Sequence, residues 1–180
     1  DTGWSFDLTK AAAGSELHLG SSTAAIPLNF QGGALNIALG ANATLYIDGL
    51  PGSTVDLTAL DSVSITGAKS IVLAAGVHLV LTAAEANGLH IVADPSVVLD
   101  KNAAGYDASK VPSVDIINLD TAATDLSGID SHIAGTVTLK EAANPTYAHQ
   151  ADVALAAATD LGAFSVTLND VDSLVGSDNE

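Results

Sequence analysis

The sequence lacks several residue types that commonly brace or enlarge a protein core. Its 180 residues include no cysteine and no methionine, and only 4% are aromatic although 48% are hydrophobic. Without cysteine, disulfides and thiol chemistry are excluded. The core must therefore consist mainly of alanine, valine, isoleucine and leucine, which favour layers of β-sheet because β-branched side chains pack well on pleated surfaces.

Basic residues are equally scarce. Five lysines and no arginine stand against 21 acidic residues, which gives a formal net charge of −16. A surface this acidic repels nucleic acid and anionic membranes, so we expect neither as a partner. No hydrophobic run approaches the ~20 residues needed to cross a bilayer, and no membrane insertion is predicted.

Short hydrophobic runs recur at nearly even spacing between Leu35 and Leu99, separated by glycine and small polar residues. They cover residues 35–39, 45–47, 55–57, 63–65, 71–73, 77–81, 89–92 and 97–99. This pattern is typical of successive coils of a parallel sheet, in which each coil buries its apolar face on its neighbours. The sequence predicts a mainly β fold, a right-handed parallel β-solenoid (β-helix) with one or two short helices, whose paired residues lie about one coil of ~20 residues apart.

One domain is expected over residues 1–180, because the chain is too short for two separate cores. We predict an N-terminal cap region over 1–31, regular coils over 32–99 and less regular coils over 100–180. Residues 101–112 lack any periodicity and predict a loop. Further strands are predicted at residues 114–117, 137–139 and 164–168.

Two segments carry helix signals. The sequence from Thr82 to Glu85 fits a capping box, and Gly88 is placed to end the short helix that follows. A second helix is predicted over residues 147–159, where apolar residues recur at four-residue spacing. Residues 151, 153 and 155 of this segment also alternate as they would in a strand, and that alternative stays open.

Three aromatic residues near the ends of the chain are candidate interface residues. Trp4 and Phe6 lie near the start, and Phe164 lies beside the predicted strand at 164–168. We expect them to cover core surface that lacks a further coil. Pairing of such ends between chains gives head-to-tail filaments, because a heterologous contact that does not close remains open. A stacking platform for a sugar is the alternative role of Trp4.

Aspartate supplies 17 of the 21 acids, and two interpretations of this excess compete. Aspartate favours turns because its side chain hydrogen-bonds nearby backbone. Carboxylates also bind Ca²⁺. The candidate ligands are Asp120 and Asp125, which belong to a series of aspartates spaced five residues apart, and Asp170 and Asp172, which lie two residues apart at one strand end. No EF-hand pattern is present.

No catalytic motif emerges. The chain has no G-x-S-x-G elbow, and its five histidines lack the spacing of metal ligands. Parallel β-helices include polysaccharide-degrading enzymes, but the dispersed lysines offer no basic site for an anionic substrate. We therefore expect a non-enzymatic protein, with a polysaccharide-degrading enzyme as an alternative.

The segment from Leu81 to Leu89, and an alanine-rich stretch followed by the strand at 164–168, resemble repeat units of large bacterial surface and secreted proteins. These adhesin-like and surface-layer-like proteins form β-solenoids and often bind Ca²⁺. The resemblance implies an extracellular, cell-surface structural or adhesive unit that associates with itself or with neighbouring repeats in filaments or layers. A carbohydrate- or Ca²⁺-binding module is the alternative. Leu35 and Ile37 stand where the calcium β-roll repeat has glycine and aspartate, so that class of calcium site is not implied.

Overall fold

Short strands dominate the structure, and their pairings are parallel. The structure, a computed structural model, describes residues 3–20, 28–29, 32–67, 69–117, 124–126, 128–130, 132–140, 153–154 and 165–169. The strands are β1 (Trp4–Leu8), β2 (Ser15–Gly20), β3 (Leu28–Asn29), β4 (Ala34–Leu39), β5 (Ala43–Asp48), β6 (Thr54–Asp56), β7 (Ser62–Gly67), β8 (Ser70–Leu73), β9 (His78–Thr82), β10 (His90–Ala93), β11 (Ser113–Ile117), β12 (Thr124–Asp125), β13 (Ala134–Lys140), β14 (Val153–Ala154) and β15 (Ser165–Asn169). The prediction of a mainly β fold with parallel strands is confirmed.

The strands form three main sheets, and the chain passes through these sheets in turn. The first sheet has the order β1-β4-β7, the second β2-β5-β8-β10, and the third β3-β6-β9-β11-β13-β15. A small fourth sheet pairs β12 with β14. From β1 to β9, every third strand therefore returns to the same sheet beside its predecessor.

The sequence distance between paired residues is longer than predicted. Ser70 pairs with His90, 20 positions on, but Leu35 pairs with Val63, 28 positions on, and His78 with Ser113, 35 positions on. The estimate of ~20 residues is thus wrong for most pairs. From β1 to β9, two strands and the connections between them separate each pair in sequence, and some later connections are long.

Alternation along the strands directs aliphatic side chains into one core. In β4, Leu35, Ile37 and Leu39 are at most 2% exposed, whereas Asn36 between them is exposed. In the second sheet, one residue from each strand lies in register with the next, and together they form a column of Leu17, Leu45, Ile71 and Ile91. An isolated β-bridge from Ile91 to Ile129 extends this column. Burial of such apolar area is the main favourable contribution to folding.

One short helix replaces a strand after β9. Helix α1 (Ala83–Ala86) begins with the predicted capping box: the Glu85 N–H donates to Thr82 Oγ1 at 3.3 Å, and the Thr82 N–H donates to Glu85 Oε2 at 2.8 Å. Buried Ala83 and Ala86 turn its apolar side to the core, where α1 contacts β7 and β12. No helix in the described part of the chain is long and apolar enough to cross a membrane.

The connection between β10 and β11 corrects one predicted strand. Residues 97–99 form no strand but belong to a loop that continues through the predicted loop at 101–112. Pro95 cannot donate a backbone hydrogen bond, and the Ser96 N–H donates to Asp94 Oδ1 at 2.8 Å, so a turn forms where the strand would begin.

Beyond this loop, the predicted strands at 114–117, 137–139 and 164–168 coincide with β11, β13 and β15 within a few residues. The helix predicted at 147–159 lies outside the described residues except for Val153–Ala154. Those two residues form β14, in line with the strand alternative.

Two glycines with positive φ offer a test of strand stacking. Gly67 (φ 85°) ends β7, and a Cβ built there collides with the Leu39 carbonyl oxygen of the adjacent strand, whereas Gly14 (φ 78°) has open space around it. We expect Gly14→Ala to lower the free energy of unfolding by the ~1–2 kcal/mol cost of a left-handed alanine, and Gly67→Ala to lower it further. Urea unfolding measures both, and equal losses would contradict the close packing of β4 and β7.

Candidate functional site

The structure describes only part of the predicted site residues. Asp120, Asp170, Asp172 and Phe164 lie outside the described residues. Asp125 belongs to β12, although only its backbone is described. Among the described residues, no group of three histidine, cysteine or acidic side chains could hold a metal ion. The Ca²⁺ site at these four aspartates therefore stays a prediction.

Many of the described aspartates stabilise turns. Six of them accept a hydrogen bond at Oδ1 from the backbone N–H two residues ahead: Asp7, Asp56, Asp94, Asp100, Asp107 and Asp130. In four cases the hydroxyl of the same residue, Thr9, Thr58, Ser96 or Ser109, also donates to that oxygen. These bonds hold the pKa values of Asp7 and Asp107 below their usual range. The turn interpretation of the aspartate excess applies to these six residues.

The turn at Asp56 can be tested by paired substitutions. Its carboxylate accepts bonds from the Thr58 N–H at 2.9 Å and from the Thr58 Oγ1 hydroxyl at 2.6 Å. We expect Asp56→Ala to lower the free energy of unfolding by about 1 kcal/mol, because the partly buried turn loses its acceptor. Asp56→Asn removes the same charge but keeps an acceptor oxygen, so most of the stability should remain. Equal losses in urea unfolding would assign the effect to charge rather than to the turn.

The outer face of the second sheet carries a cluster of four polar and aromatic side chains. We call Glu16, His18, Tyr46 and Asp48 the His18 cluster. His18 Nδ1 lies 2.7 Å from Asp48 Oδ2, and His18 Nε2 lies 3.1 Å from Glu16 Oε2. The His18 and Tyr46 rings stack, with centroids 4.7 Å apart and an interplanar angle of 10°. One imidazole thus bridges two carboxylates on adjacent strands while it packs on an aromatic ring.

The register of β2 and β5 builds this cluster. His18 pairs with Tyr46, and Gly20 pairs with Asp48, so all four side chains emerge on the same face. Metal-ligand spacing within one segment does not reveal this cluster, because its four residues lie on two strands. The alternations Glu16-x-His18 and Tyr46-x-Asp48, 30 positions apart, are the signal that could have found it.

The cluster shifts two pKa values. Hydrogen bonds to Glu16 and then to Asp48 raise the pKa of His18. Burial raises the pKa of the Tyr46 hydroxyl, and the charges of Glu16, Asp94 and Asp48 add to this effect. When it is protonated, His18 supplies positive charge on a strongly acidic chain. The neutral Tyr46 hydroxyl is a hydrogen-bond donor to Glu16.

Two other histidines make comparable pairs. His78 Nε2 lies 2.8 Å from Asp115 Oδ2 across β9 and β11, and His132 Nδ1 lies 2.8 Å from Asp130 Oδ1. Three histidines in the described part of the chain therefore lie against aspartate carboxylates.

The raised pKa of His18 gives a pH dependence of definite sign. The pKa of His18 in the folded chain lies above the ordinary histidine value of 6.5. The ion pairs of His18 therefore stabilise the fold fully below pH 6.5, and this stabilisation is lost as the pH rises through the folded pKa. We expect His18→Gln to cost more stability near pH 6 than near pH 8.5, by less than ~1 kcal/mol because the pair is exposed. The exposed His90 on β10 provides the control variant His90→Gln. Equal losses for His18→Gln at both pH values would contradict the charged pairing.

The first strands of the three sheets leave an incompletely covered end. Each of β1, β2 and β3 is the outermost described strand of its sheet. We call the inward-facing residues of β1 and β2 the N-terminal end surface: Trp4, Phe6, Leu8, Leu17 and Leu19. Trp4 is 42% exposed and the other four are only partly buried, whereas their register partners in β4 and β5 are at most 2% exposed. Trp4 and Phe6 thus lie at one end of the described core, and their role at an interface stays a prediction.

The chain was compared with models of protein families, with curated proteins and with solved structures, and none of these comparisons found a match. A function must therefore be argued from the geometry of the chain's own residues, and the resemblance to bacterial surface repeats stays a prediction.

Proposed function

We propose that the chain is a right-handed parallel β-solenoid that acts as a non-enzymatic structural or adhesive unit outside the cell, on a bacterial surface. The repeated passage of the chain through three parallel sheets supports the solenoid. Right-handedness is supported by the strong preference for right-handed connections between parallel strands of a sheet. The extracellular setting rests on the resemblance of the repeat-like segments.

The observation that carries the proposal is the N-terminal end surface. Its aliphatic and aromatic side chains have the same register as fully buried residues one strand further in, so one more coil would bury them in the same manner. In the described part of the chain, each of β1, β2 and β3 pairs with one neighbouring strand, and the further coil would lie along the other edge. An exposed set of strand edges with apolar residues behind it is a template for pairing with another chain.

The partner in this proposal is a further parallel coil, from a second copy of the chain or from a neighbouring repeat. One copy would offer its N-terminal end surface to the opposite end of the next, which is a heterologous contact. Such a contact extends into a filament or layer unless its rotation closes. The net charge of −16 opposes this association, so salt should promote it.

A charged residue at Trp4 tests the proposal. We expect Trp4→Asp to abolish assembly, because a carboxylate cannot be buried unpaired in the joint, while the thermal melting of the monomer stays near that of the parent. Ser5→Asp is the matched control, since it adds the same charge to the exposed outer side of β1. Light scattering measures assembly, and circular dichroism follows melting.

Other outcomes of this comparison have distinct meanings. A Trp4→Asp protein that melts much earlier than the Ser5→Asp protein would show that Trp4 is a cap for the monomer. Assembly of Trp4→Asp at the level of the parent would remove Trp4 from the interface. Loss of assembly in both variants would assign the effect to charge alone.

A carbohydrate-binding role is the second candidate function. A small cavity with apolar and polar walls beside the loop between β10 and β11 favours it, and that cavity is independent of the N-terminal end surface.

A further inference from the structure

One corner of the fold is much longer than its equivalents. Between the second and third sheets, residues 49–53 connect β5 to β6, and residues 74–77 connect β8 to β9. The corresponding connection between β10 and β11 runs over residues 94–112, which is 19 residues instead of five or four. Four residues suffice to turn this corner, so the additional length serves no purpose in closing it. Ordered loops longer than ~12–15 residues commonly form binding sites.

The long loop is organised by its own hydrogen bonds. Turns at Asp94, Asp100 and Asp107 fix its course, and a short 3₁₀ turn at Ala108–Lys110 follows the last of them. Val97, Leu99 and Val111 pack against the core, and the Gly76 N–H donates to the Lys110 carbonyl oxygen at 2.8 Å. The loop therefore has a defined shape without a ligand, which reduces the entropy lost on binding.

A cavity of about 260 Å³ lies between this loop and the shorter corner beside it. Its apolar wall includes Ala75, Val97 and Val98, and its polar groups belong to Ser96, Asp107 and Lys110. We call it the loop cavity. Its wall is about equally polar and apolar, so it offers a ligand both apolar contact and hydrogen bonds.

Asp107 has a fixed orientation in the loop cavity. Its Oδ1 accepts from the Ser109 N–H at 3.0 Å and from the Ser109 hydroxyl at 2.7 Å, while its Oδ2 lies 3.9 Å from Lys110 Nζ. The two bonds from Ser109 thus fix the Oδ1 side of the carboxylate. Asp107 and Lys110 together place an acceptor and a set of N–H donors at the same side of the cavity.

We propose that the loop cavity binds one neutral, pyranose-sized sugar unit. A pyranose has an apolar C–H face and a rim of hydroxyl groups, which match the valine wall and the Asp107–Lys110 pair. The volume of the cavity is comparable to that of a single ring. An anionic sugar is disfavoured, because Lys110 is already paired and the chain as a whole carries a charge of −16.

Sugar titrations followed by NMR test this proposal. Glucose, galactose, mannose and N-acetylglucosamine are each added to the ¹⁵N-labelled protein, with glucuronate as the anionic probe. We expect at least one neutral sugar to give saturable shifts confined to residues 75 and 96–110, with a dissociation constant of about 1 mM, typical of so small a ligand. Glucuronate should give no saturable shift.

Variants locate the site. Ala75→Leu fills the loop cavity and should abolish the shifts. Asp107→Asn keeps an acceptor for the turn but loses the charge, and it should weaken binding about tenfold. Asp100→Asn is the matched control, because it makes the same change in another turn of the same loop away from the cavity wall, and it should bind within about twofold of the parent. Circular dichroism confirms that each variant is folded.

Several outcomes would overturn the proposal. These are the absence of saturable shifts with all four neutral sugars, unchanged binding in folded Ala75→Leu, and glucuronate binding as tight as that of the best neutral sugar. If Ala75→Leu fails to fold, equal binding by Asp107→Asn and Asp100→Asn overturns it instead. Light scattering of the same variants separates this site from the assembly proposal, since neither result depends on the other.

Discussion

The fold depends on the stacking of aliphatic side chains between strands in parallel register. The column from Leu17 through Leu45, Ile71 and Ile91 to Ile129 illustrates this constraint. Its inner members are at most 1% exposed, and each is covered by the strands on both sides. Leu17, at the end of the column, has such a neighbour on one side and stays only partly buried. The stability of each strand thus depends on the strands stacked beside it. We expect association at the outermost strands, because these have a stacked neighbour on one side only.

The same register determines how an acidic chain tolerates its charge. Parallel pairing places outward residues of adjacent strands side by side, which would bring like charges together. His18 between Glu16 and Asp48, and His78 beside Asp115, place a titratable base at such positions. Elsewhere in the described part of the chain, six aspartates accept hydrogen bonds from backbone N–H groups of turns. The charge is therefore distributed over corners and histidine pairs, and the pleated faces that stack remain largely apolar or neutral.

Local signals in the sequence predicted much of the fold but little of the candidate sites. The parallel strands followed from short apolar runs, and the capping box of Thr82 and Glu85 followed from four adjacent residues. The strand predicted at 97–99 failed because Pro95 and the Asp94 turn outweigh the apolar composition of three residues. The His18 cluster joins segments 28 positions apart. That distance depends on corner lengths, which hydrophobic periodicity does not encode.

The long loop shows how such a fold can acquire a site without losing its register. Extending a corner from four to 19 residues adds only about 1.4 kcal/mol of loop-closure entropy, because this cost grows with the logarithm of length. Burial of Val97, Leu99 and Val111 against the core offsets a cost of that size. Meanwhile β9 and β11 pair over five consecutive residues as if the corner were short. We therefore expect binding surfaces of a stacked parallel fold at its corners, where an insertion costs little free energy. Association between chains is expected at the ends, where stacking is incomplete.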